Sequence, residues 1–296
     1  MTVVEDPAAP IAIPAQPDQA RIARRERLRL LYRSPTFIVG CVLFGIWIVC
    51  ALFGSLIAPH DPQFPDVLNK LVGPSGEHLF GTDRLGRDVL SRTIVGARAV
   101  LIIAPLATLL GTAIGTTIGL VTGYYRGLVD EAIMRVVDAV LAIPLIIIAL
   151  LAIVALGPSR LTLILVIGFV FSPIIAKTVR AAVLGEAQLE YVQAARLRNE
   201  RSPYVMFAEI LPNVMGPVIV EFTVRLGYAI FSVATLSFLG FGADPSIPDW
   251  GQDISQHYQF ISGDVWWPVL FPSLAIATLI IGINLIADAI AHTFER

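Results

Sequence analysis

Six segments of the chain are long, strongly apolar and nearly free of charge, and they constrain its fold more than any other feature. Because about 17 to 25 apolar residues in a helix cross the hydrocarbon core of a bilayer, each segment predicts one transmembrane helix. Charged residues make up only 15% of the chain, against about 25% in soluble domains. The sequence therefore predicts an all-α, polytopic membrane protein. The six segments are 37–58, 100–122, 133–156, 161–177, 217–240 and 267–289.

The distribution of lysine and arginine predicts how these six helices are oriented, because cytoplasmic segments carry the excess of both. With the N-terminus inside, the inner segments hold fourteen such residues and the outer segments six. The loop 241–265 holds none. We therefore expect both termini, and the loop between the fourth and fifth helices, to lie in the cytoplasm.

Residues 1–36 predict a disordered, basic cytoplasmic tail. Proline and alanine dominate residues 1–20, which have too few large apolar side chains to offset the entropy of ordering them, and arginines follow up to Arg33. A secretory signal is the competing interpretation, but the apolar segment 37–58 is longer than the about 7 to 15 residues of a signal core. We therefore expect a retained first helix, then an outer loop at 59–98 and a transmembrane core at 99–290.

Several functional classes find no support in the sequence. The phosphate-binding string Gly-x-x-x-x-Gly-Lys-Ser/Thr is absent, so any ATP hydrolysis requires a partner. The net charge of −2 gives no reason to expect a nucleic-acid partner. The histidines show no ligand spacing, so no metal site is predicted. These histidines are His60, His78, His257 and His292.

The charged loop at 181–211 predicts a helix-turn-helix between the fourth and fifth transmembrane helices. Asn199 lies where the first helix should end, because Asn tolerates the left-handed backbone of a helix C-terminus. Ser202 is a candidate N-cap, and Pro203 suits the first helical position. The second helix is expected to run to about Leu211, ahead of Pro212.

The outer loop ends in a motif that predicts an amphipathic helix from Asp83 onward. Its polar face would carry ion pairs from Asp83 to Arg87 and from Arg84 to Asp88. The helix could seal the bundle as a solvated cap or contact an external binding protein directly, and both interpretations stay open. The motif residues are Gly81, Thr82, Asp83, Gly86, Arg87 and Asp88.

Two features inside the apolar segments predict close helix contacts. Glu221 and Arg225 lie one helical turn apart. Because a lone charge in the membrane is costly, we expect the two residues either to form a structural ion pair or to line the translocation pathway. Gly111, Gly115 and Gly119 form one small-residue face. That face could pack within the chain or against a partner.

The string Glu-Tyr-Val-Gln-Ala-Ala-Arg at 190–196 resembles the EAA loop by which permeases of ATP-binding-cassette importers contact their ATPase. The strings at 81–88, 237–242 and 248–251 resemble the dipeptide and oligopeptide branch of that family, C-type subunit. Small Ala194 and Ala195 would let the loop helix enter a groove on the partner, and Asn199 replaces the family's usual Gly. The resemblance implies these coupling residues: Glu190, Tyr191, Ala194, Ala195, Arg196, Asn199, Pro203, Leu211 and Pro212.

The resemblance further implies a type I importer permease in the plasma or inner membrane of a prokaryote. Its expected partners are membrane lipid, a second permease, two ATPases that bind ATP and Mg²⁺, and an extracytoplasmic binding protein. Short peptides, nickel chelates, haem and some oligosaccharides are substrates of this branch. The alternative, a secondary transporter or channel, would need its own ion-coupling groups, and ionisable residues within the spans are few. A receptor or scaffold would not need six spans rich in proline and glycine.

Overall fold

The computed structural model describes residues 32–242 and 246–294. All regular elements in these residues are helices, which are connected by turns and loops. Residues 1–31 of the tail predicted at 1–36, and residues 295–296, lie outside this part of the chain. Short 3₁₀ turns occur at Val67–Asn69 and Tyr258–Gly263. The helices are α1 Pro35–Ile57, α2 Val89–Tyr125, α3 Gly127–Leu141, α4 Leu145–Leu156, α5 Arg160–Glu186, α6 Glu190–Leu197, α7 Ser202–Phe241, α8 Trp250–His257 and α9 Trp267–Phe294.

Five of the described helices are long and apolar enough to cross a membrane, namely α1, α2, α5, α7 and α9. The third predicted span, 133–156, is broken in the middle, because α3 and α4 meet there at an angle of 86°. Pro144 lies at the break, where it lacks a backbone N–H and restricts the residue before it. The count reaches six only when this bent pair is taken as one broken span.

The predicted glycine face packs within the chain, against α5. A Cβ atom on Gly111 would lie 2.7 Å from the carbonyl oxygen of Gly168. A Cβ atom on Gly115 would lie 2.7 Å from Ile175 Cβ, and one on Gly119 would lie 2.8 Å from Val179 Cβ. These distances are too short for any side chain, so glycine is what allows the α2 and α5 backbones to approach so closely.

The amphipathic helix predicted from Asp83 is wrong. Residues 83–88 form a turn, closed by a β-bridge between Thr82 and Asp88. Gly86 has φ 80°, a left-handed conformation that interrupts a helix. Asp88 caps α2, which begins at Val89 and continues for 37 residues into the second span. The motif therefore forms the turn and the N-cap that precede a transmembrane helix.

The predicted end of the second loop helix ahead of Pro212 is also wrong. This helix and the fifth span are one continuous helix, α7. In a regular α-helix the ring of Pro212 would clash with the carbonyl four residues before it. A π-helical turn at Val205–Ile210 comes directly before Leu211 and Pro212, and its wider path accommodates the ring.

Candidate functional site

The loop helix α6 ends in a Schellman motif, as the sequence predicts at Asn199. The N–H of Asn199 donates to the carbonyl of Arg196 at 2.9 Å, and the N–H of Glu200 donates to that of Ala195 at 3.2 Å. Asn199 has φ 56°, in the left-handed region. The helix that follows starts at Ser202 with Pro203 in its first turn, while Arg201 rather than Ser202 occupies the N-cap. The turn between α6 and α7 is therefore well defined.

The two faces of α6 have opposite environments. Val192 and Ala195 are fully buried in the chain's own core. The prediction that Ala195 enters a groove on a partner is therefore wrong, because its small side chain serves the packing of α6 on the rest of the chain. Glu190 is exposed, Ala194 is half-buried, and Leu197 is 84% exposed.

Tyr191 anchors α6 to the ends of both neighbouring membrane helices. Its hydroxyl donates to Glu186 Oε1 of α5 at 2.7 Å and accepts from Asn213 Nδ2 of α7 at 3.0 Å. Burial and the hydrogen bond to Glu186 raise the pKa of Tyr191 to about 12, so the hydroxyl stays protonated at physiological pH. Tyr191 therefore connects α6 directly to both helices.

Arg196 anchors α6 to α2. Its guanidinium carbon lies 4.4 Å from the centre of the Tyr124 ring, in a cation–π contact, and its Nη2 donates to the Tyr124 carbonyl at 3.4 Å. Tyr124 is in the last turn of α2. Among the predicted coupling residues, the structure thus assigns Tyr191 and Arg196 to holding the loop against α2, α5 and α7. It leaves Glu190 and Pro203 on the surface.

At the opposite end of the bundle, the 81–88 motif forms a buried polar turn. Asp83 Oδ1 accepts from the backbone N–H of Leu85 and of Arg87, and Asp83 Oδ2 accepts from Arg87 Nε at 2.6 Å. The predicted pair of Asp83 and Arg87 is confirmed. Asp88 instead accepts from Ser91 and His78, so its predicted pairing with Arg84 is wrong. These acids are at most 3% exposed, so their side chains serve the turn itself, whereas Arg84 and Leu85 of the same turn are exposed.

The first turn of α2 is joined to α8 by a buried ion pair that the sequence patterns did not predict. Arg92 donates from Nε and Nη2 to Asp253 Oδ1, at 3.0 Å and 2.5 Å. Arg92 Nη1 also donates to the carbonyl of Pro62. Trp250 Nε1 donates to the carbonyl of Thr93 at 2.8 Å. We call this set, with Asp83 and Arg87, the outer network.

The strings at 237–242 and 248–251 meet beside this network. Ser237 Oγ donates to Asp249 Oδ2 at 2.9 Å, and Asp249 Oδ1 caps α8 by accepting from the N–H of Gly251 and Gln252. Burial raises the pKa of Asp249, while these hydrogen bonds favour its charged form. The three strings that resemble the dipeptide and oligopeptide branch are thus neighbours in space.

Glu221 and Arg225 form the predicted ion pair, with Arg225 Nε 2.6 Å from Glu221 Oε1 and the guanidinium 5.3 Å from the Tyr228 ring. The side chains are 11% and 17% exposed respectively. The pair lies in the middle of α7 and neutralises both charges within the span.

Comparisons with known proteins agree with this geometry. The model of the family described as "Binding-protein-dependent transport system inner membrane component" matches residues 115–296, and that of the "N-terminal TM domain of oligopeptide transport permease C" matches 24–74. The chain is 40% identical to the dipeptide transport system permease protein of Escherichia coli K12, over 89% of each chain. It is 36% identical to that of Alkalihalophilus pseudofirmus, over 92% of this chain and 89% of the relative.

A putative peptide transport system permease protein of Brucella suis is 37% identical over 90% of each chain. Among solved structures, an inward-facing conformation of the MetNI methionine ABC transporter matches with a TM-score of 0.55. That match covers 70% of this chain and 97% of the other, at 19% identity. At this identity the likeness establishes a shared fold.

Proposed function

This chain belongs to the family of binding-protein-dependent transport system inner membrane components, and from that premise we propose how it takes part in import. It is a multi-pass inner-membrane permease subunit of a prokaryotic ATP-binding-cassette importer. We propose that it forms the translocation pathway together with a second permease. Short peptides are the proposed substrates, because relatives at 36–40% identity are named as dipeptide permeases. An extracytoplasmic binding protein would deliver them.

Energy would come from two ATPase subunits that bind ATP and Mg²⁺, with the chain itself serving as a membrane component. The proposed docking surface is the exposed face of α6 with the adjoining start of α7. Its apolar residues are Leu197, at 84% exposure, and Tyr204, at 53%. Docking of a protein partner on this face would remove both apolar side chains from water, and Tyr is a residue type enriched among interface anchors.

One observation carries this proposal: Leu197 is exposed on a helix whose other face is firmly held. Val192 and Ala195 bury that face, and Tyr191 and Arg196 bind three membrane helices. Such an element can transmit force, because the contacts on its packed face restrict deformation of the loop when a partner acts on its exposed face.

The test replaces Leu197 by Asp in the complete transporter, purified in detergent. We expect the variant to insert and fold normally but to lose bound ATPase and substrate-stimulated ATP hydrolysis, since truncating a central anchor costs about 2 kcal/mol or more, roughly 30-fold in affinity. The matched control is Leu68→Asp, at a residue that is 93% exposed in the loop after α1. Wild-type ATPase content in Leu197→Asp would place the docking surface elsewhere.

Ala195→Trp would not serve as this test. Because Ala195 is fully buried, the larger ring would disrupt the loop's own packing, and lost docking would follow from a misfolded loop.

A further inference from the structure

Three side chains with metal-ligating atoms converge beside the start of α2. His78 Nδ1 lies 2.9 Å from Asp88 Oδ1, and His60 Nδ1 lies 3.7 Å from the same oxygen. One ligand atom from each of the three residues lies within 4.8 Å of the others. The imidazole rings are 4.8 Å apart between centroids and tilted by 40°. The set is therefore two imidazoles and one carboxylate whose ligand atoms lie close together.

Backbone and neighbouring hydrogen bonds hold all three residues in place. Asp88 Oδ2 accepts from the N–H and the hydroxyl of Ser91, which leaves Oδ1 directed at the imidazoles. Ser91 Oγ also accepts from the N–H of His60 at 3.1 Å. The N–H of His78 donates to Ser75 Oγ, and its carbonyl accepts from the N–H of Ser75. Ser91 thus orients two of the three groups, which is the role of an outer-shell residue in metal sites.

We propose that His60, His78 and Asp88 bind a divalent transition-metal ion with the preferences of Zn²⁺. Neutral imidazole and carboxylate are ligands that such ions prefer, whereas Mg²⁺ and Ca²⁺ prefer oxygen alone. Bonds of about 2.0–2.2 Å in a tetrahedron place the ligand atoms about 3.4 Å apart. The separations from Asp88 Oδ1, 2.9 Å to His78 and 3.7 Å to His60, bracket that value, so ring rotations would bring the three ligand atoms to it.

Burial leaves one direction open for the ion and for a fourth ligand. The side chains of His78 and Asp88 are 10% and 1% exposed, while that of His60 is 39% exposed. A metal can therefore enter past His60, and water can fill the remaining position from the same side.

The bound ion would join three parts of the chain that are separate in sequence. His60 follows the end of α1, His78 lies in the loop, and Asp88 caps α2. Metal binding would therefore stabilise the loop 58–88 against both helices, because binding energy available only to the folded arrangement adds to its stability.

The competing explanation is a simple hydrogen bond. His78 and Asp88 alone could satisfy one another at 2.9 Å, with His60 as an uninvolved neighbour. The two explanations differ at His60. A metal site requires its imidazole, whereas a hydrogen bond between His78 and Asp88 does not.

The experiment uses the intact transporter, purified with a tag that contains no histidine, stripped with a chelator and dialysed against Zn²⁺. We expect the wild type to bind about one more equivalent per permease chain than His60→Ala, and at least about tenfold weaker binding at this site in that variant. His78→Gln should behave in the same way, and Ser91→Ala should weaken binding about 10- to 100-fold. The matched control is His292→Ala, at an exposed residue near the end of α9, which should retain the wild-type stoichiometry.

X-ray absorption of the loaded wild type should show nitrogen and oxygen ligands at about 2.0–2.2 Å. Zn²⁺ should also raise the unfolding temperature of the wild type and of His292→Ala but not that of His60→Ala. Equal Zn²⁺ content in wild type and His60→Ala, with both folded by size-exclusion chromatography, would overturn the proposal. Absence of Zn²⁺ uptake by the folded wild type would do the same.

Discussion

Asp253→Ala should be among the most destabilising single changes in the described part of the chain. The Arg92 and Asp253 side chains are 4% and 5% exposed, and Asp253 supplies the carboxylate for both Nε and Nη2 of Arg92. Removing it leaves a buried guanidinium whose nearest other acid, Asp83, lies 3.9 Å away and is already bound to Arg87. Breaking a buried ion pair in this way costs about 3–5 kcal/mol, a change of roughly 150- to 5,000-fold in the ratio of folded to unfolded protein.

The assay is equilibrium unfolding of the purified complex in mixed detergent, followed by tryptophan fluorescence. Trp250 is well placed to report it, because its indole donates to Thr93 one residue from Arg92. Glu131→Ala is the control. The side chains of Glu131 and its ion-pair partner Arg135 are 58% and 78% exposed, so this pair should contribute less than about 0.5 kcal/mol to the free energy of unfolding.

A double replacement by apolar residues separates the charge effect from lost packing. Arg92→Met combined with Asp253→Leu removes both charges together, and it should recover much of the loss because no uncompensated charge remains. The reasoning fails if Asp253→Ala costs less than about 1 kcal/mol, or if the double variant is no better than the single one.

Three further predictions follow from the packing, the intramembrane pair and the topology. Gly115→Leu should abolish correct folding, measured by size-exclusion profile, because its side chain would overlap α5, whereas Gly185→Ala should be tolerated since open space surrounds that position. Glu221→Gln and Arg225→Gln should each lower the yield of assembled complex, and the double variant should recover part of it; normal assembly with lost transport would favour a pathway role. A cysteine placed at Ser262, in a chain without native cysteines, should react with an impermeant maleimide on intact cells, and failure to react would overturn the predicted orientation.

Local sequence patterns were sufficient for the features that depend on neighbours along one helix. Hydrophobic length predicted the spans, and helical spacing predicted the pair of Glu221 and Arg225. Asn199 was predictable because its backbone conformation follows from a helix ending at that point. Each of these features involves residues no more than about one helical turn apart, or the composition of a continuous segment.

Features that depend on the tertiary arrangement could not be predicted in this way. Arg92 and Asp253 are 161 positions apart, and no spacing rule connects them. His60, His78 and Asp88 lacked ligand spacing in the sequence because three different segments bring them together. The position of Ala195 was misjudged for a similar reason. A small residue on a short helix is equally suited to a partner's groove and to the chain's own core, and only its burial in the folded chain distinguishes the two.

The proposed coupling mechanism depends on how α2 and α5 are joined. Both helices end at the loop, where Tyr124 of α2 contacts Arg196 and Glu186 of α5 contacts Tyr191. Glycines 111, 115 and 119 bring the two backbones into direct contact along the helices, so neither can slide without clashing with the other. At 1.5 Å per residue, the 37 residues of α2 extend about 55 Å, from the loop to the outer network at Arg92. Under the proposed coupling, a force on Leu197 would therefore move α2 and α5 together, and the outer network would move with them.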